Sequence, residues 1–162
     1  MESFLLYLQR FYYFFPDNIP SKLQTKNNHL LRKIKIFYEK TQYGGLMTTK
    51  ELYEVIGGNY EKMKENVKTD ERITRFARMF LDEGSFHELE LAMNADDYKE
   101  AFQAAHKLKG ICQNMFFEKM YEVVFELTEG LRNCADIPVA KKKFIELKEL
   151  YTLTTQSITQ LT

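Results

Sequence analysis

One predicted helix carries a histidine that is followed three residues later by a lysine and four residues later by a glycine. Because an α-helix turns by about 100° per residue, His106, Lys109, Gly110 and Gln113 fall on the same side of the helix axis. An imidazole is a nucleophile, an ammonium group stabilises a nearby anion, and a residue without a side chain leaves room for a second molecule. The spacing therefore predicts a nucleophilic site on the surface of a helix.

The opposite side of the same helix is apolar. Its residues recur at spacings of three and four, which is typical of a helix face that packs into a core. They are Ala101, Ala104, Ala105, Leu108, Ile111, Cys112 and Met115. This stripe predicts that His106 points to solvent.

An exposed histidine is most often an ordinary surface residue, so the neighbouring glycine matters for the interpretation. A glycine inside a helix costs about 1 kcal/mol relative to alanine. Gly110 lies one turn after His106 on the same side, where a missing side chain lets another molecule approach the imidazole ring. The combination favours a function for His106 over a solvated surface position.

The residues from Ala104 to Gly110 resemble the His-x-Leu-Lys-Gly signature of histidine-containing phosphotransfer (HPt) domains, and the similarity extends over residues 47–133 with one further helix. It implies a phosphorelay protein in which His106 accepts a phosphoryl group from a receiver-domain aspartyl phosphate and passes it to another receiver. Many members of the family have a second glycine six residues after the first. This chain has Phe116 there, so the sequence does not predict the residue at which the helix ends.

The resemblance also implies roles for the neighbours of the histidine. Lys109 would neutralise the phosphate on the ring, and Gly110 would give the partner clearance. Gln113, one turn further, would orient the imidazole or hydrogen-bond the phosphate. Phe102 is the nearest apolar side chain that could contribute to a docking surface.

The implied partners are a response-regulator receiver domain and a hybrid or sensor histidine kinase. The Mg²⁺ that this chemistry needs is expected in the partner receiver, because the sequence offers no acidic cluster near His106 and no cofactor site of its own. It also contains no Gly-rich nucleotide loop. We therefore expect a phosphocarrier intermediate without kinase activity of its own.

Two other interpretations remain open. The chain could be a non-catalytic helical module that binds or sequesters a histidine kinase or a response regulator, or a structural helical protein unrelated to signalling. Neither needs a nucleophile beside Lys109 and Gly110, so a test of His106 distinguishes them from the phosphocarrier.

Composition narrows the class of protein. The 162 residues carry zero formal net charge, which gives no reason to expect a nucleic-acid partner. Cys112 and Cys134 match no metal-ligand spacing and are predicted to be free thiols in a reducing compartment, the cytoplasm. No stretch reaches the roughly 20 apolar residues of a membrane span. A small carrier that presents one surface to successive partners is expected to be a monomer.

A change in charge divides the chain into two segments. Residues 1–46 carry seven basic and three acidic side chains and are rich in aromatic residues, whereas residues 47–162 carry 16 basic and 20 acidic side chains. We interpret residues 1–46 as an N-terminal extension, either an artefact of an upstream start codon or a docking segment with helices near residues 4–15 and 30–43. Residues 47–162 form the predicted HPt-like domain.

Within that domain the apolar periodicity predicts an all-α fold. The expected architecture is an antiparallel four-helix bundle whose members span residues 70–93, interrupted at Gly84, 97–115, 117–133 and 137–158, with a short extra helix at one end. Thr49 is the predicted N-cap of that extra helix. Ser85 is the predicted N-cap after Gly84, in a capping box with Glu88.

Overall fold

Seven α-helices account for most of residues 45–162, the part of the chain that the computed structural model describes. A short 3₁₀ turn, Arg132–Cys134, separates the last two. The helices are α1 (Thr49–Ile56), α2 (Tyr60–Val67), α3 (Asp70–Leu81), α4 (Ser85–Asn94), α5 (Tyr98–Asn114), α6 (Glu118–Leu131) and α7 (Ile137–Thr159).

The last four helices form the bundle, because α4 packs on α5, α5 on α6 and α6 on α7. Side chains of α4 and α7 close the ring: Phe86 stacks on Tyr151 with 3.8 Å between ring centroids, and Lys148 pairs with Glu90. The short connections make successive helices antiparallel. The predicted all-α four-helix bundle is confirmed, but its first member is α4 alone and not residues 70–93, because the chain turns between Leu81 and Ser85 and α3 packs with the preceding helices.

The first three helices, α1, α2 and α3, pack at one end of this bundle. The α1–α2 connection lies on the α5–α6 turn, where the amide of Asn59 donates to the carbonyl oxygen of Phe116 (2.8 Å). Asp70, at the start of α3, accepts hydrogen bonds from Thr49 (2.7 Å), Tyr60 (2.9 Å) and Lys64 (2.6 Å). One carboxylate therefore fixes α1, α2 and α3 relative to one another.

Both predicted N-caps are wrong by one residue. Thr48, with extended backbone, caps α1 in a capping box with Glu51, and Thr49 is the first helical residue. Gly84 occupies the cap position of α4 without a side-chain hydrogen bond, while the amide of Ser85 donates to the Glu83 carboxylate (3.0 Å). The predicted capping box does not form, because the Ser85 hydroxyl donates to Glu83 and the Glu88 carboxylate pairs with Lys107 (2.8 Å).

The apolar residues of α3 recur at spacings of three and four, but only some of them are buried. Ile73, Ala77 and Phe80 are buried, but Phe76 is 41% exposed and Leu81 is 37% exposed. Because α3 packs against α7 and the short helices on one side, the two outer apolar positions of its stripe remain at the surface.

The helix that carries His106 ends at Asn114, and the chain then turns at Phe116 with φ 53°. This is the left-handed region that glycine adopts most easily. The position at which the resemblance leads us to expect a glycine is therefore the one with this backbone conformation. Phe116 adopts it here with its side chain packed against the core.

The expectations for residues 1–44, including the helices near residues 4–15 and 30–43, lie outside the described residues. Among residues 45–162, no helix combines the length and the apolarity that crossing a bilayer requires.

Candidate functional site

The site is built on α5, a helix of 17 residues that is fixed at both ends. The Asp97 side chain caps its first turn by accepting from the amide of Glu100 (3.1 Å). Near its other end, the buried Tyr53 hydroxyl donates to the carbonyl oxygen of Met115 (2.8 Å). The predicted apolar stripe faces the core, with only Ile111 partly exposed. The opposite side of α5 is therefore held in a fixed direction.

His106 is exposed on that side, as the stripe predicts. Its ring stacks along the half-buried ring of Phe102, one turn earlier, with centroids 6.1 Å apart and an interplanar angle of 23°. Within residues 45–162 the imidazole makes no hydrogen bond, so its ring nitrogens are accessible to a reacting group.

Two lysines flank the histidine and differ in their contacts. Lys107 pairs with Glu88 (2.8 Å), and this hydrogen bond raises the pKa of Lys107 above its ordinary value. The Nζ of Lys109 lies over the Phe125 ring, 5.4 Å from its centroid, and forms no ion pair with a described residue. The charge of Lys109 is therefore available to an anion bound on the same side as His106.

The remaining two predicted site residues also lie on this open side. A Cβ built at Gly110 meets no atom within 4 Å, so the absent side chain leaves open space. Gln113 is exposed, and its side-chain amide makes no hydrogen bond within the described part of the chain. The structure thus brings His106, Lys109, Gly110 and Gln113 together along one surface of α5.

Helix α6 and Arg132, the first residue after it, contribute neighbours that the sequence reasoning missed. The Arg132 guanidinium lies over Phe102, 5.2 Å from the ring centroid, and Lys109 lies over Phe125. The chain advances seven residues along α5 from Phe102 to Lys109, and across from it the chain runs back seven residues from Arg132, directly after α6, to Phe125. This antiparallel register pairs His106 with the buried Thr128, so the next residue, Glu129, lies close to the position across from His106. The signal in the sequence was the spacing of Phe125, Glu129 and Arg132, which places them on one side of α6.

Glu129 is half-buried between the two helices and binds Arg132 with both carboxylate oxygens, at 2.9 and 3.0 Å. Arg132 holds the pKa of the Glu129 carboxyl below its ordinary value, and Lys109 and His106 add to this effect. The Glu129 carboxylate and the cations of Lys109 and Arg132 therefore lie in the neighbourhood of the imidazole.

A groove of about 340 Å³ lies beside Phe102, one turn from His106. It is lined by Tyr98, Lys99, Phe102, Gln103, Leu131, Arg132, Asn133 and Cys134. The larger groove of about 910 Å³, between α1 and α3, contains none of the predicted site residues. Residues 45–162 hold no group of three or more His, Cys, Asp and Glu side chains that could bind a metal ion.

The comparison with protein families decides the class of this chain. The family model of the Hpt domain matches residues 75–156, which are 82 of the 162 residues. This chain belongs to the Hpt domain family. The match to the Hpt domain begins within α3, ends within α7 and contains the whole surface around His106. No curated protein and no solved structure matched the chain significantly.

Membership in the Hpt domain family gives this chain a general role. Hpt domains carry out histidine phosphotransfer in two-component phosphorelays and interact there with receiver domains and histidine kinases. The family match covers the bundle and assigns no role to an individual surface residue. The chemistry of the site has to supply those roles.

Proposed function

We propose that His106 is the phosphoacceptor of this Hpt domain and that it carries a phosphoryl group between two receiver domains. The observation that supports this most directly is the open surface of α5, where an exposed imidazole lies beside an unpaired ammonium group and a glycine with empty space around it. Structural histidines do not need such surroundings.

The proposed reaction is an in-line displacement on phosphorus. The lone pair of the unprotonated ring nitrogen of His106 forms the N–P bond, and the P–O bond to the receiver aspartate breaks, so that the electron pair leaves with the carboxylate. The other ring nitrogen keeps its proton or releases it to water. Transfer to the next receiver is the reverse reaction with a second aspartate.

Phosphoryl transfer depends on positioning and on stabilisation of charge. Lys109 would stabilise the phosphoryl oxygens, Gln113 would hydrogen-bond the phosphate or the imidazole, and Gly110 would let the receiver approach. The Mg²⁺ that the reaction needs would be supplied by the receiver. Phe102 and the neighbouring groove would contribute to the surface on which the receiver docks.

The experiment is phosphoryl transfer from a phosphorylated receiver domain to the purified protein. We expect a label on the protein that is stable in base and labile in acid, as a phosphoramidate is, and that is absent from His106→Gln. His87→Gln is the matched control, because His87 is an exposed histidine in the first turn of α4. It should be labelled like the wild type.

The same experiment distinguishes the alternative function. A protein that binds receivers but takes up no label would be a docking module without phosphotransfer. Label that persists in His106→Gln would refute the proposed acceptor.

The compartment and the assembly state are further parts of the proposal. We infer that the protein is a cytoplasmic monomer. The compartment is supported by two cysteines that form no disulfide, buried Cys112 and exposed Cys134. The monomer is supported by the single surface that successive partners would share. Size-exclusion chromatography with light scattering at several concentrations tests the assembly state, and a stable dimer would contradict it.

A further inference from the structure

Two sets of contacts connect Glu129 with the surroundings of His106. Glu129 binds Arg132 with both carboxylate oxygens. It also lies one turn after Phe125 on α6, and the Lys109 ammonium group lies over the Phe125 ring. Arg132 in turn covers Phe102, the ring that stacks along His106. These contacts place a negative charge near the proposed phosphoacceptor, one residue from the position across from His106.

We propose that the Glu129 carboxylate disfavours the phosphorylated form of His106 and so promotes transfer of the phosphoryl group to a receiver. Glu129 is then a positioning residue, since it acts through the charges around the imidazole and touches no reacting atom. The inference rests on the proposed role of His106.

The equilibrium concerned is the exchange between receiver aspartyl phosphate plus free His106 and receiver aspartate plus phosphorylated His106. One P–O bond and one N–P bond are exchanged, and no other reactant is consumed. A charge that acts on only one side of this exchange changes its equilibrium constant.

Glu129 acts mainly on the phosphorylated side. In the free protein Arg132 neutralises its carboxylate. A phosphoryl group brings about two negative charges to the same surface, where they repel Glu129 and compete with it for Arg132 and Lys109. Both side chains of the Arg132–Glu129 pair are almost half exposed, so solvent weakens the repulsion, and we expect an effect of about two- to fivefold.

The test is Glu129→Gln, which keeps the size of the side chain and an oxygen that can accept from Arg132. The protein is mixed with a phosphorylated receiver and Mg²⁺, and the ratio of phosphohistidine to aspartyl phosphate is measured at equilibrium. We expect this ratio to rise about two- to fivefold relative to the wild type. The difference should shrink in 1 M salt, where the screening length is only about 3 Å.

Two further variants separate the charge of Glu129 from a purely structural role. Arg132→Gln removes the cation but leaves the carboxylate, so the ratio should fall. If Glu129 merely held Arg132 in place, the two variants would change the ratio in the same direction. Glu126→Gln is the matched control, because Glu126 is on the same helix but pairs with Lys143 of α7 (3.0 Å). Its ratio should equal that of the wild type.

The outcomes are distinct. Label that persists in His106→Gln would overturn the phosphoacceptor and this inference together. Label confined to His106, with an unchanged or lowered ratio in Glu129→Gln, would overturn the inference alone. An equal rise in Glu126→Gln would do the same, because it would trace the effect to net charge. Circular dichroism and thermal unfolding of each variant show whether the bundle is intact.

Discussion

Replacing Gly110 by alanine should make the protein more stable, although the residue lies at the proposed site. Alanine in the interior of a helix is favoured over glycine by about 1 kcal/mol, because glycine loses more backbone freedom on folding. The new Cβ would meet no atom within 4 Å, so no steric cost offsets the gain. We expect an increase of about 0.5–1 kcal/mol in the free energy of unfolding.

Urea unfolding followed by circular dichroism measures this change. With a denaturant dependence of about 2 kcal/mol per molar urea, the midpoint should rise by roughly 0.3–0.5 M. The matched control is Gly130→Ala in α6, where a Cβ would lie 2.9 Å from the carbonyl oxygen of Asp136 and 3.2 Å from the Cβ of Ala140. The same substitution there should destabilise the protein by about 1–3 kcal/mol, because α6 and α7 must separate.

Gly110→Gln extends the prediction to function. Glutamine is also a better helix former than glycine, so the protein should remain stable, while its side chain fills the space beside His106. Phosphotransfer from a receiver should then be slower although the protein is folded. An unfolding midpoint of Gly110→Ala at or below that of the wild type would refute the propensity argument. Undiminished transfer in Gly110→Gln would refute the clearance argument.

Two predictions concern the end of the bundle that supports α5. Tyr53→Phe removes the buried hydrogen bond to the Met115 carbonyl (2.8 Å) and should lower the free energy of unfolding by about 1–2 kcal/mol in a urea titration; an unchanged midpoint would contradict it. The hydrogen bonds that Asp70 accepts, above all that from Lys64, hold the pKa of its carboxyl below the ordinary value. The contribution of Asp70 to the free energy of unfolding is therefore complete above about pH 4 and is lost as the pH falls through the lowered pKa. The urea midpoint of Asp70→Asn should therefore fall less than that of the wild type between pH 6 and pH 3, and equal losses would refute this role.

Much of the fold could be predicted because it depends on local periodicity. The apolar residues of α5, α6 and α7 recur every three or four positions, and such a pattern has few stable arrangements other than a bundle. Capping was harder to predict. A threonine or a serine near a helix start can occupy the cap or the first turn, and the sequence does not show whether Thr48 or Thr49 has the extended backbone of the cap.

The exposure of Phe76 and Leu81 shows a second limit of the sequence. Periodicity identifies the apolar side of α3 but not how wide a strip of it the neighbouring helices cover. Only the packing of α3 on α7 and the short helices decides that two of its apolar positions stay at the surface.

For the site, the sequence by itself determined which side of α5 faces solvent and which residues share it. His106, Lys109 and Gly110 are three and four positions apart, and the rotation per residue of a helix fixes their relative directions. The tertiary structure alone decided what lies across from them. The register between α5 and α6 depends on how two sets of side chains interlock and on the connection between the helices. That register places Arg132 over Phe102, the ring beside His106, and Glu129 next to Arg132.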